Sequence, residues 1–210
     1  MKTNYTHIGI LLDASSSMYS IQTDIIGGYN KLIDEQKLEK GDLTVSIAQF
    51  AGPGTFKVIS DMKKISEVEA LTTSNYVPNG NTALMDAATK FITDIGNKLS
   101  SLSEAEKPEK VLITLITDGE ENASIESTKA SLANLIKHQE EKYNWQFAFI
   151  GANQDSFAES SKIGITRNSV NYSADVLGVN KMFKGMSSKM SSYRGGDITF
   201  ELSQEDIDKA

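Results

Sequence analysis

The sequence has no cysteine and only two histidines, His7 and His138, in 210 residues. Without cysteine there is no disulfide framework, no thiolate-ligated zinc and no thiol nucleophile. Two histidines leave almost nothing from which to build a multi-histidine metal site. A basic excess is lacking too. The 21 Lys and Arg stand against 28 Asp and Glu, for a formal net charge of −7, the wrong sign for a general nucleic-acid binder. Long apolar runs are also missing. Ile8–Leu12 is cut short by Asp13 and is far too brief to span a bilayer or to act as a secretory leader. No membrane partner is expected, and the expected location is cytoplasmic. What remains is an ordinary globular composition sized for one domain. Any divalent metal bound should be a hard ion held by oxygen.

Apolar strands alternate with amphipathic helices. His7–Leu12 reads as a buried strand and Ile21–Leu38 as a helix with Ile21, Ile25, Leu32 and Ile33 on one face, ended by Gly41. Leu43–Phe50 and Thr55–Ser60 are strands on either side of Gly52-Pro53-Gly54. So tight a connection makes that pair antiparallel. Thr82–Leu102 is a helix, and Lys110–Thr117 is the strongest strand signal, placed centrally. A helix over Ile125–Tyr143, a strand over Trp145–Gly151, a short helix over Asp155–Ile163 and an edge strand over Ser169–Tyr172 follow. The last helix, Ala174–Tyr193, turns Val179, Phe183, Met186, Met190 and Tyr193 to one side. The pattern predicts an α/β, doubly wound, Rossmann-like sheet, mostly parallel with one antiparallel edge strand and helices on both faces. Residues 1–194 form the domain. Residues 195–210 are a tail in which Ile198–Leu202 is expected as an added strand and Ser203–Ala210 as a frayed acidic end.

In open α/β sheets ligands bind beyond the carboxyl ends of the strands. Asp13-Ala14-Ser15-Ser16-Ser17 follows the first strand there, and Asp118-Gly119-Glu120-Glu121-Asn122 follows the central one. Asn79-Gly80-Asn81-Thr82 opens the second long helix between them. Two carboxylates at one edge repel unless protonated or bridged by a cation. Mg²⁺ suits them, with Mn²⁺ or Ca²⁺ as substitutes. Ser15, Ser17 and Thr82 offer neutral oxygens, and Asp13 and Asp118 hold the metal or its waters.

Asp-x-Ser-x-Ser, Gly-Asn-Thr-Ala-Leu-x-Asp-Ala and Ile-Thr-Asp-Gly, each in its place, resemble the von Willebrand factor A domain and its metal-ion-dependent adhesion site. The resemblance runs from about residue 5 to 193. Ile26-Gly27-Gly28-Tyr29-Asn30, Asp118-Gly119-Glu120-Glu121-Asn122-Ala123 and Phe149-Ile150-Gly151-Ala152-Asn153 resemble a stand-alone bacterial and phage subgroup. The resemblance implies that Ser15, Ser17 and Thr82 bind the metal directly, and that Asp13 and Asp118 bind directly or through water. It implies that the Asp or Glu carboxylate of a partner protein completes the octahedron. Gly80, Asn81, Gly119, Glu120 and Glu121 are expected on the partner-binding rim, with a solvated acidic loop as the plainer reading of Glu120 and Glu121. Analogy within the subgroup suggests an ATPase or a defence or stress protein as that partner. Ser16 stands where the family often has glycine, which implies an altered loop but a retained site.

The leading functional reading is a metal-dependent protein-binding module, not an enzyme. A Mg²⁺-dependent phosphoryl-transfer or hydrolytic enzyme is one alternative. It lacks a P-loop, a Gly-x-Ser-x-Gly elbow and any Lys or Arg in the three motifs. A structural or assembly protein is the other. The remaining marked residues have plainer expectations. His7 is expected at the surface or a sheet edge, Met182, Met186 and Met190 in the core, and Asp86 in a structural hydrogen bond. Thr82 is read as a helix cap as well as a ligand. Lys181, Lys184, Lys189 and Arg194 are expected on a solvated face.

Overall fold

The computed structural model describes residues 1–118, 120–152 and 156–210. The expected rim position Gly119, Asn153 of the subgroup stretch and the Asp155 start of the short helix lie outside the described residues. Six strands form one sheet: β1 (Lys2–Asp13), β2 (Asp42–Phe50), β3 (Lys57–Lys64), β4 (Pro108–Thr117), β5 (Gln146–Ala152) and β6 (Ser169–Tyr172). Their order is β3-β2-β1-β4-β5-β6. All neighbours are parallel except β2 and β3. This is the expected doubly wound sheet with its single antiparallel edge strand. Helices α1 (Gln22–Leu38) and α5 (Val176–Gly195) cover one face, while α2 (Leu84–Ser101) and α3 (Lys129–Tyr143) cover the other. The short helices α4 (Ser156–Lys162) and α6 (Gln204–Asp208) complete the chain. Among the described residues no helix is long and apolar enough to cross a membrane.

Strands β1 and β4 read as continuous apolar runs because helices cover both their faces. From Thr6 to Asp13 every residue of β1 is buried. That corrects the expectation for His7. It is fully buried, with Nδ1 2.9 Å from Thr44 Oγ1 on β2 and Nε2 left without a partner. Burial lowers its pKa to about 3, so the ring is neutral.

Helices α1 and α5 approach closely at Gly28. A Cβ built there would lie 2.2 Å from Phe183 Cδ2, whereas a Cβ on neighbouring Gly27 meets nothing. Gly28→Ala should therefore cost about 1–3 kcal/mol through overpacking. Gly27→Ala should instead gain up to about 1 kcal/mol by removing a helix-interior glycine. Urea denaturation of both variants checks this, and equal effects would refute the close approach.

Strand β1 starts earlier than expected, at Lys2, and β3 runs later, over Lys57–Lys64, while two further stretches depart more widely. Helix α3 starts at Lys129, not Ile125, with Thr128 and Ser131 forming a capping box. The N–H groups of Ile125, Glu126 and Ser127 are instead captured by the Asp86 carboxylate at 2.8, 3.0 and 2.6 Å. The tail is neither an added strand nor frayed. Phe200, Leu202 and Ile207 are buried in the α1/α5 core. Ser203 and Asp206 cap α6 reciprocally. Ile207 sits over Gly185, where a Cβ would be 2.8 Å from its Cδ1. Three lysines of α5 hold the tail: Lys181 donates to the Asp208 carbonyl, Lys184 to the Ala210 carbonyl and Lys189 pairs with Asp206. The outer edge of β6 meets a side chain in place of a strand. The Gln204 amide accepts from Asn171 N–H at 2.8 Å and donates to its carbonyl at 3.0 Å, which blunts the open edge.

Candidate metal centre

Strand β1 ends on Asp13, which is fully buried. Its Oδ1 accepts the Ser15 N–H at 2.7 Å and its Oδ2 accepts the Thr117 hydroxyl of β4 at 2.6 Å. The carboxylate is thereby aimed across the sheet edge toward the end of β4. The backbone beneath it is fixed as well. Tyr76 donates its hydroxyl to the Asp13 carbonyl at 2.6 Å, and Ala14 N–H donates to the Phe50 carbonyl at 2.6 Å.

Ser15, Ser17 and Asp118 meet above Asp13. The Ser15 and Ser17 hydroxyl oxygens lie 3.0 Å apart, and Ser17 donates to Asp118 Oδ1 at 2.6 Å. The bend from Asp13 into a short 3₁₀ turn over Ser16–Ile21 puts Ser15 and Ser17 on the same side. Ser15 is buried and Ser17 is open to solvent. The intervening Ser16 ties this loop to the next. Its hydroxyl accepts the Gly80 N–H at 2.8 Å, and its own N–H donates to the Gly80 carbonyl at 3.0 Å. Glycine at position 16 would lose the first of these bonds. Gly80 has a φ of +89°, which favours glycine at this turn.

Thr82 is buried two residues after Gly80, the residue that bonds to Ser16. It is not the helix cap expected of it, since α2 has Ala83 at its N-cap and no side-chain cap bond there. Its backbone is instead strapped to the loop after β4. Thr82 N–H donates to Asn122 Oδ1 at 3.0 Å, and the Thr82 carbonyl accepts from Asn122 and Ala123 N–H. That loop supplies the missing caps of α2. Glu121 Oε2 accepts the Met85 N–H at 2.8 Å, and Ser124 Oγ accepts the Asp86 N–H at 3.1 Å. The other Glu121 oxygen accepts from Ala123 and Ser124 N–H. Glu121 is thus a clamp between two loops, while Glu120, Gly80 and Asn81 are exposed at the rim. The sequence reading missed Tyr76, Thr117 and Asn122. Thr117 and Asn122 flank the Asp118 motif by one and four residues, and a search for buried hydroxyls and amides beside the acids finds them.

The electrostatics of the cluster are those of excess negative charge. Burial pushes the Asp13 carboxyl up to about 6, against the Thr117 and Ser15 hydrogen bonds, and Asp118 adds to the rise. Burial raises the pKa of Asp118 too, against the bond from Ser17. No cation is among the groups that shift either acid. Among the described residues no three His, Asp or Glu side chains gather as a metal-binding group. The cluster is therefore two carboxylates supplemented by hydroxyls, a donor set matched to a hard cation.

No family model matches the sequence, and no curated protein does. Solved structures do match. The proximal thread matrix protein 1 of the mussel byssus, with a zinc-occupied MIDAS motif, is 16% identical over 89% of this chain and 46% of its own, with a TM-score of 0.59. A von Willebrand factor type A structure from Catenulispora acidiphila is 16% identical over 89% and 42%, with a TM-score of 0.53. The pilus adhesin SpaC of Lactobacillus rhamnosus GG, in its open conformation, is 12% identical over 92% and 30%, with a TM-score of 0.63. The chain spans less than half the length of each of these proteins. At such low identity they speak to architecture, and they agree with the strand order and the two helical layers: the chain has the von Willebrand factor type A fold.

Proposed function

We propose that the protein is a divalent-metal-dependent protein-binding module, with Mg²⁺ held by Ser15, Ser17, Thr82, Asp13 and Asp118. One observation carries the reading: the oxygens of Ser15, Ser17 and Asp118 converge at 3.0 and 2.6 Å beside a buried Asp13 that has no cation among the described groups acting on it. Ligands about 2.1 Å from Mg²⁺ stand about 3 Å apart along an octahedron edge, the spacing of the two serine oxygens. A bound cation would also neutralise the two acids. It reverses the sign of the local field, so the group it recruits is a partner's Asp or Glu carboxylate. Exposed Gly80, Asn81 and Glu120 form the surrounding rim, with Gly119 beside them in sequence. The zinc-occupied MIDAS motif of the mussel protein supports a divalent ion at this place in the fold.

A metal titration and a capture experiment test the proposal. Mg²⁺ should raise the melting temperature of the wild type, since it binds only the folded form. The shift should vanish in Asp13→Asn and fall sharply in Thr82→Ala, while both variants stay folded in EDTA. Partner capture should occur in Mg²⁺ and disappear in EDTA. Capture unchanged in EDTA, or an intact Mg²⁺ response in Asp13→Asn, would remove the basis of the proposal.

A further inference from the structure

At the opposite end of the sheet from Asp13, between the last turns of α2 and α3, lies a cavity of about 280 Å³. Its apolar lining is Leu99 from α2, Leu135 from α3, Val111 from the start of β4 and Trp145 just before β5, with Thr93, Asn97, Ser100 and His138 among the polar groups around it. One polar side chain among them stands out. Gln139 of α3 is only 8% exposed, lines the cavity, and has no hydrogen-bond partner for its amide among the described residues. The side chain is packed in, but its amide opens into the cavity, where water or a ligand pairs with it. The C-cap of α3 sets the arrangement. Asn144 takes the left-handed conformation, and the turn lets Trp145 N–H donate to the Gln139 carbonyl at 3.3 Å. Indole and amide are thereby held at one wall.

The opposite wall is made by an absence. Gly96 sits in the interior of α2, where glycine costs about 1 kcal/mol relative to alanine. Nothing forbids a side chain there. A Cβ would stand 3.6 Å from Gln139 Nε2 and 3.9 Å from Trp145 Cη2, ordinary contact distances. What glycine provides at this position is open space against the indole edge and the amide. Two of the charged side chains at the mouth are already engaged, and Met1 brings the terminal ammonium to it. Lys107 pairs with Glu104, and Glu109 accepts the Asn4 N–H at 2.9 Å.

We infer that this cavity is a binding site for a small, planar, uncharged molecule with a lactam or carboxamide edge. The plane packs against Trp145 and the apolar walls. The adjacent donor and acceptor of the edge pair with the donor and acceptor of the Gln139 amide. The site is remote from Asp13 and Asp118 and stands independently of the metal-dependent reading.

The protein provides its own reporter, because Trp145 is its only tryptophan. Uracil and nicotinamide are the probes, followed by Trp145 fluorescence and by the Gln139 side-chain amide resonances. Both should give saturable changes with a Kd on the order of 1 mM, as befits ligands of so few atoms. Gln139→Met, which keeps the volume and removes the amide, should weaken binding about tenfold. Gly96→Leu should abolish it by filling the space. 1,3-Dimethyluracil, stripped of its donors, should bind about tenfold more weakly than uracil. EDTA should change none of these results. The inference is overturned if neither signal saturates in the wild type, or if Gln139→Met binds the probes as the wild type does. Should Gly96→Leu lose its helical circular dichroism, the Gln139→Met comparison decides alone.

Discussion

Replacing Arg194 by alanine is expected to destabilise the protein by about 3–4 kcal/mol. The residue lies at the C-terminal end of α5 but points inward and is buried. Its Nη1 donates to the Gln36 carbonyl at 2.7 Å and to Gln36 Oε1 at 3.0 Å. Its Nη2 lies 3.3–3.4 Å from the carbonyls of Glu39, Lys40 and Gly41. The Gln36 carbonyl is one of the unsatisfied acceptors in the last turn of α1, where the helix dipole is negative, and the Glu39, Lys40 and Gly41 carbonyls belong to the C-cap and the turn that follows. The guanidinium therefore does for α1 what a C-cap motif does elsewhere, from another helix. Gln36 carries the connection onward. Its amide donates to the Ser187 carbonyl and to Ser191 Oγ on α5, at 3.1 and 3.0 Å. Alanine removes two charge-assisted bonds and leaves the buried Gln36 amide and carbonyl short of a donor. Arg194→Lys should recover less than half of the loss, because an ammonium cannot reach several carbonyls with a planar fork. Urea denaturation of both variants is the measurement. A loss under about 1 kcal/mol in Arg194→Ala would mean that water replaces the guanidinium at no cost.

Arg194 also marks the boundary of what the sequence makes legible. Next to Lys181, Lys184 and Lys189 it reads as one more charge on a solvated helix face. The three lysines do stay near solvent, but they hold the tail, and only the tertiary packing of α1 against α5 distinguishes the arginine. Residues whose role is set by local periodicity or by strand ends were readable. The apolar runs of β1 and β4, the Met182, Met186 and Met190 stripe and the three loops that surround Asp13 all fall in this class. Residues whose partners lie far along the chain were not. Asp86 stops α3 from starting at Ile125, from about forty positions away. Glu121 looks like one more acid in an exposed loop, yet it caps the helix that follows Thr82. Ile198–Leu202 has the composition of a strand, but the edge of β6 is already taken by Gln204, so Phe200 and Leu202 pack into the core, Ile198 stays exposed, and no strand pairs there. His7 was misplaced for a related reason. A strand covered on both faces has no polar side, so position in the strand says nothing of exposure.

That buried histidine and the buried Asp13 give the protein two opposed responses to acid, and in EDTA they should nearly cancel over part of the range. His7 is held neutral, with its pKa lowered to about 3 from an ordinary 6.5. Between those values the unfolded chain binds the proton and the folded one does not, so stability falls as the pH drops through this window. At about 1.4 kcal/mol per pKa unit the full loss approaches 5 kcal/mol near pH 3. Asp13 acts in the other direction. Its pKa is raised to about 6 from 3.8, so the folded protein takes up a proton first, and stability rises as the pH drops from about 6 to about 4. The full gain is about 3 kcal/mol. Wild-type protein in EDTA should therefore change little in stability between pH 6 and pH 4 and lose it steeply below. Removing either group exposes the other. His7→Gln should become more stable, relative to its own value at pH 7, as the pH falls to about 4, while Asp13→Asn should lose stability across that same interval. Chemical denaturation at several pH values separates the two curves. Saturating Mg²⁺ should erase the Asp13 contribution at neutral pH, because a cation beside the carboxylate stabilises the ionised form that burial disfavours. The wild type would then lose stability on acidification from pH 6 onward, with the metal leaving as Asp13 is protonated. If the Mg²⁺-loaded and EDTA-treated proteins show the same pH profile, the cation does not sit against Asp13, and the proposed metal centre fails on thermodynamic grounds before any partner is found.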